Sequence, residues 1–156
     1  MGTVSVSRNI NASSDAVWAL VSDLPRMGEW SPENKGGEWL GGATGPALGA
    51  KFKGNNTNGK KKWSTTATVT ECVPGREFGF DVVSGPVKVA HWGYAIESTG
   101  AGTCIVTEST TDRRSKFAAR FGKLFSGVAD RAVFNKQSIE ETLAAIDAAA
   151  TGAKQS

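Results

Sequence analysis

The feature that most constrains the fold is a change of hydrophobic period near residue 113. From 50 to 112, apolar and polar residues alternate in runs separated by turn signals such as Pro74-Gly75, which is typical of half-buried strands. From 113 to about 150, apolar residues instead recur at helical spacing. Because a one-sided helix must bury its apolar arc, and an antiparallel sheet offers one apolar face, we expect the helix to lie on the sheet.

The alternating span predicts about five strands joined by short links, and therefore a meander of antiparallel neighbours. Four of these strands carry a group of side chains on one face that we expect to point inward. Strand by strand, these groups are Trp63, Thr65, Ala67 and Val69; Phe78, Phe80 and Val82; Trp92, Tyr94 and Ile96; and Val106, Glu108 and Thr110.

The helical span places its apolar residues in one arc about 100° wide. The arc consists of Phe117, Phe121, Leu124, Phe125, Val128, Ala132, Ile139, Leu143, Ile146 and Ala150. Asn135 falls at its centre, and Gly127 is the weak point where a kink is expected. Residues 151–156 are expected to form a frayed tail.

The first 49 residues hold shorter elements. Residues 3–10 alternate as a strand, and 14–22 form a short amphipathic helix with Ser13 or Ser14 as its N-cap. Pro25 opens a second short helical turn. Residues 34–49 are rich in glycine and are expected to be a loop, acting as a mobile flap.

Together these elements predict a single α+β domain over residues 1–150. If the first strand joins the edge of the meander, the curved antiparallel sheet wraps around the long C-terminal helix, with two short helices after the first strand. The curvature leaves a gap between the concave face and the helix.

Composition excludes several classes of function. The net charge of +3 is small and is most visible in the run 60–62, which favours a solvated surface over a nucleic-acid site. Two cysteines and one histidine are too few for the usual zinc site, so we expect no metal and no cofactor. With neither a signal-peptide pattern nor an apolar run long enough for membrane insertion, we expect a cytoplasmic protein.

Three stretches together resemble the START-like helix-grip superfamily (SRPBCC), in its polyketide cyclase/dehydrase and lipid-transport family. They are "NASSDAVWALVSDLPRMGEWSPE", "GPALGAKFKGNN" followed by Trp63 and "ATVTECVPGREFGF", and "HWGYAIESTGAGTCIVTES". The resemblance covers residues 4–148. It implies a helix-grip fold of six or seven strands with a deep ligand cavity, used by some members to bind lipids or other hydrophobic molecules and by others to cyclise or aromatise polyketides.

The candidate ligand-binding residues combine large apolar side chains with a few polar groups on apolar faces. They are Met27, Trp30, Trp63, Phe78, Phe80, Trp92, Tyr94, Glu108, Phe121, Phe125, Val128 and Asn135. For several of them a structural role stays open: Asn135 as a backbone partner, Glu108 on the solvent face, and Trp92 and Tyr94 in the core. Trp30, in the break "DLPRMGEWSPE", is interpreted either as a lid over the cavity or as a plug at the end of the core.

Catalytic signals are sparse. His91 is predicted on the face opposite Trp92, Cys72 and Cys104 read as unreactive strand residues, and no nucleophile–base–orienter set is indicated. Glu108 and Tyr94 are the candidates for acid–base catalysis.

The sequence therefore predicts a carrier, store or sensor of a lipid or a polycyclic, polyketide-like compound. The alternative is a polyketide aromatase/cyclase that uses the same cavity. The ligand's identity is not fixed by the sequence, and neither is the choice between a monomer and a weak homodimer.

Overall fold

A computed structural model describes residues 3–116, 118–119 and 130–152 of the chain. Within these ranges seven strands form one antiparallel sheet in the order β1-β7-β6-β5-β4-β3-β2. The strands are β1 Thr3–Ile10, β2 Asn34–Trp39, β3 Lys51–Asn58, β4 Lys61–Val73, β5 Glu77–Ser84, β6 Val87–Gly100 and β7 Thr103–Asp112. The predicted meander is confirmed, and β1 joins its edge by pairing with β7.

Bulges in the long central strands give the sheet its curvature. Between Val69 and Glu71 the register of β4 against β5 shifts, so Thr70 has no partner opposite it. The pairing of β5 with β6 shifts in the same way, which leaves Val89 as the extra residue. An extra residue bends its strand and increases the local twist, and the sheet therefore has a concave face.

Two short helices follow β1, as predicted. Helix α1 spans Ser14–Val21, and the Ser13 hydroxyl caps it by accepting a hydrogen bond from the Ala16 amide at 3.1 Å. A 3₁₀ helix spans Leu24–Glu29 with Pro25 in its first turn, where the missing N–H costs nothing.

The long helix α2 spans Arg131–Thr151 and is shorter than the predicted one. It begins at Arg131 because Asp130 adopts an extended conformation and caps the helix, its carboxylate accepting from the Val133 amide at 3.2 Å. Gly152, at φ 70°, ends it in the left-handed conformation that glycine adopts without strain. The kink predicted at Gly127 and the last four residues of the predicted tail, 153–156, lie outside the described residues.

The glycine-rich segment 34–49 was expected to be a loop and flap, and this expectation is wrong for its first six residues. Asn34–Trp39 forms β2, an edge strand paired with β3 and bulged between Asn34 and Gly37. A Cβ atom on Gly37 would collide with the Lys53 carbonyl oxygen, so glycine is required for this close approach. Glycine therefore allows a bulged edge strand here instead of preventing a strand.

The core lies where α2 meets one side of the sheet. The helix packs against β1, β7 and α1, and it buries Ile139, Leu143 and Ile146 completely or nearly so. Trp18 joins α1 to the sheet, as its ring meets Phe78 edge to face at 6.3 Å and its indole N–H donates to the Glu77 carbonyl at 2.8 Å. In the described ranges, no helix combines the length and apolarity required to cross a membrane.

Candidate functional site

A cavity of about 710 Å³ lies between the concave face of the sheet and α2. Its position follows from the packing of α2, which contacts β7 and β1 at one edge of the sheet. The inward side chains of β3, β4 and β5 face the helix across the remaining space. The volume falls within the range of small-molecule binding sites in proteins.

The sheet side of the cavity is a continuous apolar wall. Register pairs place the inward residues of adjacent strands side by side: Phe52 beside Ala67, Ala67 beside Val82, and Phe80 beside Trp92. All five line the cavity, as does Trp63 on the same face of β4. Aromatic and aliphatic side chains on this concave face suit a hydrophobic guest.

One buried polar pair interrupts this wall. Tyr94 on β6 and Glu108 on β7 are register partners, and the tyrosine hydroxyl donates to Glu108 Oε1 at 2.9 Å. The side chain of Glu108 is only 3% exposed, and its second oxygen, Oε2, has no hydrogen-bond partner among the described residues. An unpartnered buried carboxyl oxygen costs free energy, which a polar group of a ligand would recover.

Burial also controls the charge of this pair. It raises the pKa of Glu108 to about 8, with the hydrogen bond from Tyr94 opposing the shift. Burial, together with the neighbouring Glu108, raises the pKa of Tyr94 well above its ordinary value. Below pH 8 the carboxyl is therefore mostly protonated and Tyr94 keeps its hydroxyl proton, so this pair is polar and predominantly uncharged.

Helix α2 faces this pair with uncharged polar side chains. Asn135, Ser138 and Thr142 lie on one helical face, are buried, and line the cavity. On β7, two residues from Glu108, the buried hydroxyl of Thr110 has no partner in the described part of the chain. The cavity is therefore polar where β7 meets α2 and apolar across from it.

Two ion pairs belong to the cavity wall. Arg131 Nη1 of α2 lies 3.0 and 3.2 Å from the two carboxylate oxygens of Glu33, and both side chains are 18% exposed. Arg114 forms a two-pronged pair with Asp112, with Nη2 2.6 Å from Oδ2. Each guanidinium group is thus matched by a carboxylate.

The pKa values of the two carboxylates shift in opposite directions. Burial raises the pKa of Glu33, and Arg131 offsets part of that rise. For Asp112, burial acts to raise the pKa, but the hydrogen bonds and charge of Arg114 outweigh it and lower the pKa. As the pH falls, Glu33 is therefore protonated before Asp112, and its ion pair with Arg131 weakens first.

The structure brings seven of the predicted ligand-binding residues to the cavity wall. They are Met27, Trp63, Phe80, Trp92, Tyr94, Glu108 and Asn135. Glu108 and Asn135 are both buried and line the cavity, so Glu108 is not on the solvent face, and their ligand-binding roles stay predictions. Three other predicted residues, Phe121, Phe125 and Val128, lie outside the described residues, as do Phe117 and Leu124 of the predicted helical arc.

Trp30 and Phe78, also predicted as ligand-binding residues, lie elsewhere in the structure. Both belong to the packed core and neither lines the cavity. Trp30 is 5% exposed and ends the 3₁₀ helix, with the Arg26 guanidinium 5.2 Å from its ring centre. Trp30 thus packs within the core, whereas Met27, one turn earlier, lines the cavity. Phe78 is turned toward Trp18, at the end of β5 that α1 covers.

His91 lies on the face opposite Trp92, as predicted, and neither it nor the two cysteines line the cavity. His91 is on the outer face of the sheet, with Nδ1 2.7 Å from Asp81 Oδ1 and Nε2 3.3 Å from Glu71 Oε1. Cys72 and Cys104 are free, and burial raises the pKa of both thiols, which lowers their reactivity.

Several wall residues were missed by sequence reasoning. Ser138 and Thr142 carried a readable signal, because they share a helical face with Asn135 at spacings of three and seven residues. No sequence signal indicated the Glu33–Arg131 pair, since 98 residues separate its members and only the tertiary fold brings them together.

Comparisons with known proteins agree with this architecture. The family model described as "Polyketide cyclase / dehydrase and lipid transport" matches residues 1–151, which confirms the family resemblance drawn from the sequence. A Polyketide_cyc-like protein from Corynebacterium glutamicum, solved by solution NMR, is 35% identical with a TM-score of 0.55. The match covers 96% of this chain and 83% of that one.

More distant structures share the fold alone. A START superfamily protein from Mycobacterium smegmatis is 15% identical, with a TM-score of 0.69 over 97% of this chain and 99% of that one. A major latex-like protein from Panax ginseng is 14% identical, with a TM-score of 0.71 and coverage of 96% and 97%. No curated protein matched the chain.

Proposed function

The chain belongs to the polyketide cyclase/dehydrase and lipid transport family, and from that premise we propose that it carries, stores or senses a hydrophobic small molecule. The guest would be a lipid or a polycyclic, polyketide-like compound held between the sheet and α2. The observation that supports this most is the cavity of about 710 Å³ with its continuous apolar wall.

The packing of the wall explains why a guest would bind. The rings of Trp63, Phe80 and Trp92 face open space on one side, where they lack the contacts that close packing supplies. An apolar guest restores those contacts and leaves water at the same time. The polar pair Tyr94–Glu108 then orients the guest, as a few placed polar groups do in most small-molecule sites.

A titration with N-phenyl-1-naphthylamine tests the proposal. This uncharged dye fluoresces strongly in apolar sites, so its emission should rise and saturate on addition of the protein. Ala67→Phe fills the cavity from the centre of the apolar wall and should weaken binding at least about tenfold, because it removes space that the dye needs. Ala95→Phe adds the same ring at an exposed position on β6 and serves as the matched control.

Saturable binding by the wild type and the Ala95→Phe variant, with loss in Ala67→Phe, is the expected result. Absence of saturable dye binding by the folded wild type, or binding that Ala67→Phe leaves unchanged, would contradict the proposal. Native mass spectrometry of the purified protein provides an independent check for a retained guest.

A second candidate function is cyclisation or aromatisation of a poly-β-ketone. It is favoured by the Tyr94–Glu108 hydrogen bond, since a carboxyl with a pKa of about 8 is suited to proton transfer near neutral pH. Under this alternative, product forms from a polyketide mimic and is lost in Glu108→Gln, which retains the shape of the side chain but cannot exchange a proton. Unchanged turnover in that variant would remove Glu108 from any such chemistry.

A further inference from the structure

Glu108 lines the cavity on the concave face of the sheet, and its oxygen Oε2 is buried without a hydrogen-bond partner among the described residues. Its sister oxygen Oε1 is occupied as the acceptor of the Tyr94 hydroxyl at 2.9 Å. Since Oε1 already accepts a hydrogen bond, the proton of a neutral carboxyl belongs on Oε2. The O–H bond is then free for a group that enters the cavity.

We propose that the cavity selects uncharged ligands bearing a hydrogen-bond acceptor, such as a ketone or ester carbonyl, and that the protonated Glu108 carboxyl donates to this acceptor through Oε2. The inference rests on the proposed binding function and adds to it the chemical class of the ligand and the residue that selects it. It also predicts that carboxylate ligands such as fatty-acid anions are disfavoured at this position.

The surroundings of Glu108 keep it neutral in the absence of a ligand. Tyr94 on β6 is the titratable group in direct contact with it, and the neighbouring inward residue on β1 is Val6. The side chains that α2 brings to the cavity wall beyond its first turn are Asn135, Ser138 and Thr142, which carry no charge.

The charged groups near this region are already matched in pairs. These pairs are Arg8 with Asp147, Arg114 with Asp112, and Arg131 with Glu33. Among the described residues, no unpaired cation therefore faces Glu108 to stabilise its ionised form or to receive the carboxylate of a ligand at this depth. A ligand carboxylate placed beside Glu108 would lose its hydration without gaining a counter-ion, which is strongly unfavourable.

The donor disappears when Glu108 ionises. Burial raises the pKa of this carboxyl to about 8, so the donor is present at pH 6 and absent at pH 9.5. Above that pKa, Oε2 is an acceptor only, and it repels the carbonyl oxygen that it bound before. The preference for carbonyl ligands should consequently switch off in alkaline solution.

Calorimetric titration with three probes of nearly equal shape tests the proposal: 2-acetylnaphthalene, 2-ethylnaphthalene and 2-naphthoate. At pH 6 the ketone should bind the wild type about five- to tenfold more tightly than the hydrocarbon, the ratio expected for one hydrogen bond. At pH 9.5 that ratio should approach one. The naphthoate should bind more weakly than the hydrocarbon at both pH values.

Three variants identify the donor. Glu108→Gln retains an N–H donor that does not titrate, so it should prefer the ketone equally at both pH values. Glu108→Leu has no donor and should bind ketone and hydrocarbon alike at both. Glu97→Gln changes an exposed carboxyl on β6 and should behave as the wild type. Circular dichroism at each pH checks that every variant is folded.

A ketone preference that persists at pH 9.5 in the wild type, or that survives in Glu108→Leu, would overturn the assignment of Glu108. Naphthoate binding more tightly than both neutral probes would overturn the proposed ligand class. If 2-ethylnaphthalene binds while the ketone shows no preference, only this inference fails. If none of the probes binds the folded wild type, the binding function fails along with it.

Discussion

The two halves of the interface between β7 and α2 differ sharply although they belong to the same two elements. On β7 the inward residues Cys104 and Val106 are fully buried in the packed core. Further along the same face, Glu108 and Thr110 are equally buried, yet each has a polar atom without a partner in the described part of the protein. One half is packed, and in the other half Glu108 lines the cavity.

Helix α2 repeats the division. On one face Ile139, Leu143 and Ile146 interlock with the core, whereas on a neighbouring face Asn135, Ser138 and Thr142 line the cavity. Apolar side chains from both elements fill the space between them in the packed half. In the other half, which we call the hollow half, polar side chains take the place of these apolar ones, and the cavity separates the two elements. The candidate site is therefore a local departure from the pattern that builds the core, which is where functional sites are expected.

The largest expected change in stability comes from two phenylalanines on β5, of which Phe78 lies in the packed core and Phe80 lines the cavity. Phe78→Ala removes a fully buried ring from the packed core and should lower the free energy of unfolding by about 3–5 kcal/mol. Phe80→Ala removes a ring that already borders open space, so its cost should be smaller by at least about 1 kcal/mol. Urea denaturation monitored by circular dichroism measures both.

Equal losses for Phe78→Ala and Phe80→Ala would show that both rings are packed alike, and the division into two halves would be lost. The rings lie 5.8 Å apart, so the double variant should also be measured to separate their coupling from their individual costs.

The second effect is a pH dependence of stability that Glu108, beside the cavity, contributes. Glu108 has a pKa of about 8 in the folded protein against 4.5 for an ordinary carboxyl. Between these values the unfolded chain releases the proton while the folded chain retains it, so stability falls as pH rises. The contribution is complete below pH 4.5, decreases by up to about 1.4 kcal/mol per pH unit, and is lost once pH passes about 8.

Subtracting the stability curve of Glu108→Gln from that of the wild type isolates this contribution. The difference should slope downward between pH 4.5 and 8 and be flat above. A flat difference throughout the window would mean that Glu108 is solvated and ionised, and the polar floor of the cavity would be misassigned.

The smallest expected change in stability comes from two nearly isosteric substitutions on the inward face of β7. Val106→Thr places a hydroxyl in the packed half and should destabilise by about 1–3 kcal/mol. Thr110→Val removes a hydroxyl without a described partner and should be neutral or stabilise by up to about 1 kcal/mol. Thermal unfolding compares them. Effects of the same sign and size would erase the contrast between the two halves.

The sequence predicts most of the fold because strand alternation and helix capping are local signals. The inward faces of β4 to β7, the cap at Ser13 and the pairing of β1 with the meander are all confirmed. The start of α2 was missed because the capping signal of Asp130 lies within an uninterrupted helical period. β2 was missed because glycine indicates both loops and bulged edges.

The candidate site was only partly readable for a different reason. Alternation assigns a side chain to a face, but it does not say which part of that face the helix covers. Phe78 and Phe80 share one face, and only the placement of α2 and α1 leaves Phe80 at the cavity and Phe78 in the core. Likewise, Trp30 and Met27 are three residues apart, and only tertiary packing places Trp30 in the core and Met27 at the cavity.

A crystal structure of the protein grown with 2-ethylnaphthalene tests the central claim most directly. The account predicts electron density for the guest between the N-terminal half of α2 and the rings of Trp63, Phe80 and Trp92, with none in the packed half around Ile146. A hollow half filled by the protein's own side chains, with no density for the guest, would contradict it.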